Sequence, residues 1–304
     1  MPALFGYLPL SPAGWHSPLE AAGTRGQSPS QPWWCGSQRT PGGPRIERRT
    51  IVRCLAAWAA STALPCSAAP WPDGYLAEPF QFHANFALAE QLPLLKAVAG
   101  LATEVPQQLE LAAPREPIHV FLFDRKSTYE QYVRSHFPQV PQRSALFIKD
   151  QGPGMVFAHC GKEFDVDLRH EATHAVLHAA LPFVPLWLDE GLAEYFEIAR
   201  GERVGGNPYL STLRRQARWG QVTDFQGLEA ITEMPRMQAK HYREAWAVIH
   251  FLLHGPPLVQ GVLSGYLRDI ESGLPPDSLE LRLRRIAPDY PRLMVQHFRS
   301  FSGR

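Results

Sequence analysis

Two stretches with helical periodicity, about 166–181 and about 186–199, are separated by Pro182-Phe183-Val184-Pro185. Proline cannot continue a helix and drives the residue before it to extended backbone, so the first helix must stop here and a second must start within a few residues. So short a break lets the second helix return against the first. The first carries His170, Glu171 and His174, and the return brings Glu190 or Glu194 opposite the histidines.

Four residues along an α-helix advance about 400° and about 6 Å, so His170 and His174 share a face and can converge on one ion. Glu171 lies about 100° round, too far to join them as a ligand yet near enough to act as a base on water at that ion. Zinc held by three side chains keeps a fourth position for water, lowers the water's pKa towards about 7 and polarises an adjacent carbonyl. His170, His174 and Glu190 are the expected ligands. Glu194, four residues after Glu190 on the same face, is expected to accept the N–H of a ligand histidine and fix its tautomer; exchanged roles for the two glutamates remain the alternative. A metzincin would continue H-E-x-x-H-x-x-G-x-x-H, but Leu177 and Ala180 stand at those positions, which excludes that class.

His170-Glu171-Ala172-Thr173-His174 followed by Trp187-Leu188-Asp189-Glu190-Gly191-Leu192-Ala193-Glu194-Tyr195 resembles the gluzincins, and most of all the peptidase MA-like proteins, over about Pro117 to Leu253. The resemblance implies a zinc site in a thermolysin-like core, with an active-site helix and a neighbouring sheet whose edge strand can bind extended peptide. One departure is that only fifteen residues separate His174 from Glu190, fewer than in thermolysin or the aminopeptidases, which requires a short connecting turn. Tyr242-Arg243-Glu244-Ala245-Trp246 resembles the helix start that places a phenol beside the metal in related gluzincins. Tyr242 is the expected oxyanion donor, with His241 as runner-up. A tyrosine capping a buried helix, bonded elsewhere, explains the same residue.

Several other residues read as structural. His178 continues the four-residue spacing after His174 and is expected to be packed or hydrogen-bonded, Glu197 to be solvated or to support the site, and His250 and His254 to be core or cap residues. Met234 and Met237 match no metzincin Met-turn. Cys160 lies outside any C-x-x-C spacing and reads as a buried or half-buried thiol.

The expected fold class is α+β, with a small N-terminal mixed sheet and helices followed by a mainly helical zincin core, and residues 70–304 as a single domain. Phe86 to Leu101 has helical spacing ending at Gly100. Pro117 to Phe123 reads as a strand, followed by a helix through Tyr129, Tyr132 and Val133. Ala145 to Lys149 and Met155 to His159 flank Asp150-Gln151-Gly152-Pro153-Gly154 and read as a hairpin. Tyr242 to His254 is apolar nearly all round and stops at Gly255-Pro256-Pro257, as a buried helix with a glycine cap would.

Residues 1–44 hold eight prolines and seven glycines without hydrophobic period and read as disordered or untranslated. Residues 45–69 then run basic, apolar and small, from Arg45 through the Cys54 to Leu64 run to Ala68-Ala69, the plan of a secretory signal. A start annotated too far upstream, with Ile51 or Val52 near the true one, explains the signal's position inside the chain. The apolar run is too short for a permanent span, which needs roughly 20 residues, so an exported protein, periplasmic or secreted, without a stable transmembrane segment is expected. Removing residues 1–69 takes six of 30 basic and two of 29 acidic groups. The remainder is nearly neutral, without a basic stripe for nucleic acid, and keeps only Cys160 of four cysteines, so it cannot form an internal disulfide. These features together predict a zinc-dependent hydrolase of peptide or protein substrates. A zinc-containing envelope protein that binds a polypeptide without turnover is the alternative, though Glu171 would then have no task, and a non-peptide amide or ester substrate would use the same machinery.

Overall fold

The computed structural model describes residues 71–301 except 151, 222 and 276. The proline-rich 1–44 and the signal-like 45–69 lie outside the described residues. β1 (Asp73–Ala77) and β2 (Phe80–Ala84) form an antiparallel hairpin. Helices α1 (Leu92–Ala99) and α2 (Leu101–Leu109) then lead to β3 (Ile118–Phe123), α3 (Lys126–His136), β4 (Ala145–Ile148) and β5 (Gly154–His159). The five strands make one mixed sheet in the order β1-β2-β3-β5-β4, with β3 parallel to both its neighbours and β4 antiparallel at one edge. α4 (Phe164–Ala180) and α5 (Leu186–Phe196) follow. Next come α6 (Tyr209–Arg218), α7 (Phe225–Glu229), α8 (Ala239–His254), α9 (Val262–Glu271), α10 (Leu279–Ile286) and α11 (Tyr290–Ser300). The class is α+β, as the sequence predicts.

Every residue of β3 is buried because both faces of the sheet are covered. Ile118, Val120 and Leu122 join the main core with α1, α2 and α4, whereas Phe121 and Phe123 pack with Phe157, with Tyr129 and Val133 of α3, and with Phe137 just after it. Strand alternation thus feeds two cores from one sheet. The sequence reading missed β1 and β2, whose apolar residues are interrupted by Asp73, Gln81 and His83. It also placed one helix from Phe86 to Gly100. The helix instead begins at Leu92, and Gly100, with helical backbone and its N–H bonded to Lys96 O, joins α1 to α2 rather than ending anything. A helical glycine costs only about 1 kcal/mol, which packing of both helices offsets.

α5 is the most deeply placed helix, with every residue from Leu186 to Phe196 buried except Glu194. It packs on α4 on one side and α8 on the other. Gly191 makes the second contact possible: a Cβ there would lie 3.0 Å from the Ala245 carbonyl carbon and oxygen. Gly255 ends α8 as expected, but its backbone is extended (φ −74°) rather than left-handed. Glycine is required there by crowding, since a Cβ would meet Phe251 O at 2.3 Å.

The C-terminal half of α8 holds a histidine cluster. His250 Nε2 meets Val204 O at 3.0 Å and its Nδ1 meets His297 Nε2 at 2.9 Å, while His254 Nε2 meets the Tyr195 hydroxyl at 2.7 Å. Burial pushes His250 down to about 3 and His297 to about 4, and lowers His254. Depressed folded-state values mean that the native protein binds fewer protons than the unfolded chain below about pH 6.5, so stability present above that pH is lost as it falls towards the folded values. For fully buried His250 alone the loss at pH 5 is about 2 kcal/mol, or about 4–8 °C in melting temperature for a chain this size. Thermal unfolding followed by circular dichroism at pH 7 and pH 5 checks this. His250→Gln should flatten the difference, and an equally steep drop in that variant would count against the cluster.

Candidate metal centre

The Leu181 to Pro185 link returns α5 antiparallel along α4, so residues ascending one helix meet residues descending the other. Asp189 meets His178 and His174, Glu190 meets His174 and His170, and Glu197 meets His170. Glu190 and Glu197 share this face because seven residues are two turns to within about 20°.

Glu190 Oε2 lies 3.5 Å from His170 Nε2 and 3.9 Å from His174 Nε2. One donor atom from each of the three residues lies within 4.8 Å of the others. These separations are too long for hydrogen bonds. They are near the spacing of ligands about 2.1 Å from a tetrahedral ion, which stand about 3.4 Å apart. The opposite ring nitrogens are held by carboxylates. His170 Nδ1 donates to Glu197 Oε2 at 2.8 Å, and His174 Nδ1 lies 3.0 Å from Asp189 Oδ1, close though poorly aligned for a hydrogen bond. Asp189 also accepts from His178 Nε2 at 3.1 Å. With Nδ1 of each ring facing a carboxylate, both Nε2 atoms are left as lone-pair donors on the Glu190 side, the arrangement that second carboxylates impose on metal-binding histidines. Two imidazoles and a carboxylate so disposed fit a divalent ion such as zinc.

The electrostatics favour positive charge between the helices. Burial opposes protonation of His170, but the negative Glu190 carboxylate and the hydrogen-bonded Glu197 raise it well above the ordinary imidazole range. His174 is raised too, with burial outweighed by Asp189 and Glu190. Burial pushes Asp189 up, yet the His174 and His178 charges hold it below the usual carboxylate range. A field that draws protons onto both rings equally favours a metal cation in their place. Burial raises the Glu171 carboxyl, opposed by the charges of His174 and His170, which makes it a stronger base than an exposed glutamate.

Not every expected role falls where the sequence reading put it. Glu194 was assigned the histidine N–H, but Glu197 takes it. Glu194 lies with His170 and Glu197 within 4.8 Å, is hydrogen-bonded to Tyr209, and is raised to about 7 by burial and the neighbouring Glu197 charge. His178 is hydrogen-bonded, as expected, and its backbone carbonyl accepts from Lys149 Nζ at 2.7 Å. His241 is occupied as a helix cap: its Nδ1 accepts from the Gln238 backbone N–H at 3.0 Å, while the Gln238 side chain caps the His241 N–H. Tyr242 is half-buried with its hydroxyl donating to Met234 Sδ at 3.5 Å. Burial pushes it up to about 12, helped by the Glu190 charge. Asp189 was overlooked, although the His174 and His178 spacing was a signal that an acidic partner should face them. Cys160 is half-buried with no disulfide.

No known family profile matches this chain, and no curated protein matches it. The candidate metal centre therefore rests on its own residues and geometry.

Proposed function

We propose that the protein is a zinc-dependent hydrolase of the gluzincin type, a metallopeptidase acting outside the cytoplasm. The observation that carries this reading is the pair of histidines whose Nδ1 atoms face carboxylates while both Nε2 atoms converge with Glu190. His170, His174 and Glu190 would hold the ion. Zinc, when bound, supplies a Lewis acid that acidifies water and polarises a substrate carbonyl. Glu171 takes the proton of the attacking water and delivers it to the leaving amine. Tyr242, by exchanging its Met234 contact for the substrate, donates to the oxygen that becomes negative as the carbonyl is attacked. The sheet supports a peptide substrate: β4 is its terminal strand beside α4, and the Phe147 ring lies 6.3 Å from His174 and 5.5 Å from His178. An extended chain can add to such an edge by main-chain hydrogen bonds. The basic, apolar and small order of residues 45–69 supports export.

Purified protein is expected to carry about one zinc per chain and to cleave members of a diverse peptide library. Removing the ion with a chelator should abolish cleavage, and stoichiometric zinc should restore it. Metal analysis with mass-spectrometric cleavage mapping decides the matter: no stoichiometric zinc removes the metal centre, and zinc without any cleavage replaces hydrolysis by binding alone.

A further inference from the structure

A third histidine, His178, is buried between α4 and α5, and no step of the proposed hydrolysis uses it. It stands one turn after His174 on the same face of α4. Asp189 of α5 reaches both rings: its Oδ2 lies 3.1 Å from His178 Nε2 and its Oδ1 lies 3.0 Å from His174 Nδ1. The two contacts are not equal. The first is an aligned hydrogen bond, whereas His174 Nδ1 and Asp189 Oδ1 are both buried without an aligned partner among the described residues. A carboxylate is planar, so the bond that fixes Oδ2 also fixes the direction of Oδ1. A buried donor and acceptor within reach but off line are costly, and the orientation that His178 gives Asp189 decides how well the pair can close.

His178 is itself held from the sheet. Lys149, just after β4, donates from Nζ to the His178 carbonyl at 2.7 Å and pairs with Glu116 Oε2 at 2.8 Å. The Phe147 ring of β4 lies 5.5 Å from the His178 ring and 6.3 Å from that of His174. The edge strand thus fixes both the backbone and one face of His178.

We propose that His178 is a positioning residue of the metal centre: by donating from Nε2 to Asp189 it orients the carboxylate that holds His174, so that the His174 ring presents its own Nε2 as a lone-pair donor. This rests on the metal-binding half of the peptidase reading. His178 acts at one remove, through a partner of a ligand rather than as a ligand, and partners of this kind tune how tightly a metal is held.

Three substitutions separate orientation from packing. In His178→Gln the amide nitrogen reaches about as far as Nε2 and can donate to Asp189. In His178→Asn the shorter amide stops near the Nδ1 position and falls short of it. His178→Leu fills much of the space and donates nothing. The probes are Zn2+, titrated in competition with a chromophoric chelator, and Co2+, whose visible absorption reports the geometry of the ligands around it. His178→Leu and His178→Asn should bind zinc about tenfold more weakly than wild type and change the Co2+ spectrum, and His178→Gln should stay close to wild type in both. Melting temperatures of the metal-free proteins are measured alongside. Lower melting with unchanged zinc affinity and Co2+ spectrum in the leucine and asparagine variants would make His178 a packing residue and overturn the proposal, as would an equal loss of affinity in all three. Should leucine prevent folding, glutamine against asparagine decides. Wild-type protein that takes up neither metal would remove the metal centre and this role with it. Zinc binding that depends on His178 without cleavage of any peptide would leave the role standing and sink the peptidase.

Discussion

Glu171→Gln is expected to lower peptide hydrolysis about 10²–10⁴-fold while leaving the zinc content unchanged. Glutamine fills the same volume and keeps an oxygen on the same face of α4, but it cannot take a proton at neutral pH. Its neighbours His170 and His174 keep Glu197 and Asp189 as partners, so the ligand set is undisturbed. Neutralising a half-buried carboxyl whose protonated form its surroundings already favour should not harm folding. Single-turnover rates and metal content on the same preparation check both halves of the statement. A variant that retained most of its rate would show that some other group accepts the proton, and one that lost zinc would show that Glu171 is part of the ligand set.

The second large effect is expected at Asp189. Its carboxylate is buried between His174 and His178, at 3.0 and 3.1 Å. Asp189→Ala leaves two buried imidazoles without their acceptor, a loss of about 3–5 kcal/mol for breaking one side of a buried charged pair, or about 10 °C in melting temperature for a chain this size. It also frees His174 to turn, which should weaken zinc about 10–100-fold. The two effects separate by measuring thermal unfolding with and without chelator and zinc affinity by competition with a chromophoric chelator. Asp189→Asn, which keeps shape and one acceptor oxygen, should lose less of each. Unchanged zinc affinity in the alanine variant would confine Asp189 to packing.

Both predictions depend on how much of the site is local. The histidine pair and its neighbouring glutamate were legible because helix phase repeats every 3.6 residues whatever the helix packs against. The strands β3 to β5 were legible for a similar reason, as runs of β-branched and aromatic residues bounded by turns. β1 and β2 were not, since each presents one apolar side interrupted by polar residues and they gain their stability from pairing with each other and, for β2, with β3. Gly100 was misread because a glycine within a helical pattern signals either a stop or a tolerated link, and only the packing of α1 and α2 chooses between them.

Sequence by itself therefore determined which residues can meet an ion, His170, His174 and a glutamate of the following helix, and that a carboxyl, Glu171, stands beside them. Tertiary structure alone decided the partners. The axial offset of α5 against α4 gives the His170 N–H to Glu197 rather than Glu194 and assigns Asp189 to two histidines at once. The close approach of α8 at Gly191 is likewise a tertiary contact. The physical reason is that rotation about a helix axis is written in the local backbone, whereas the offset between two helices is set by the sum of contacts along their whole interface.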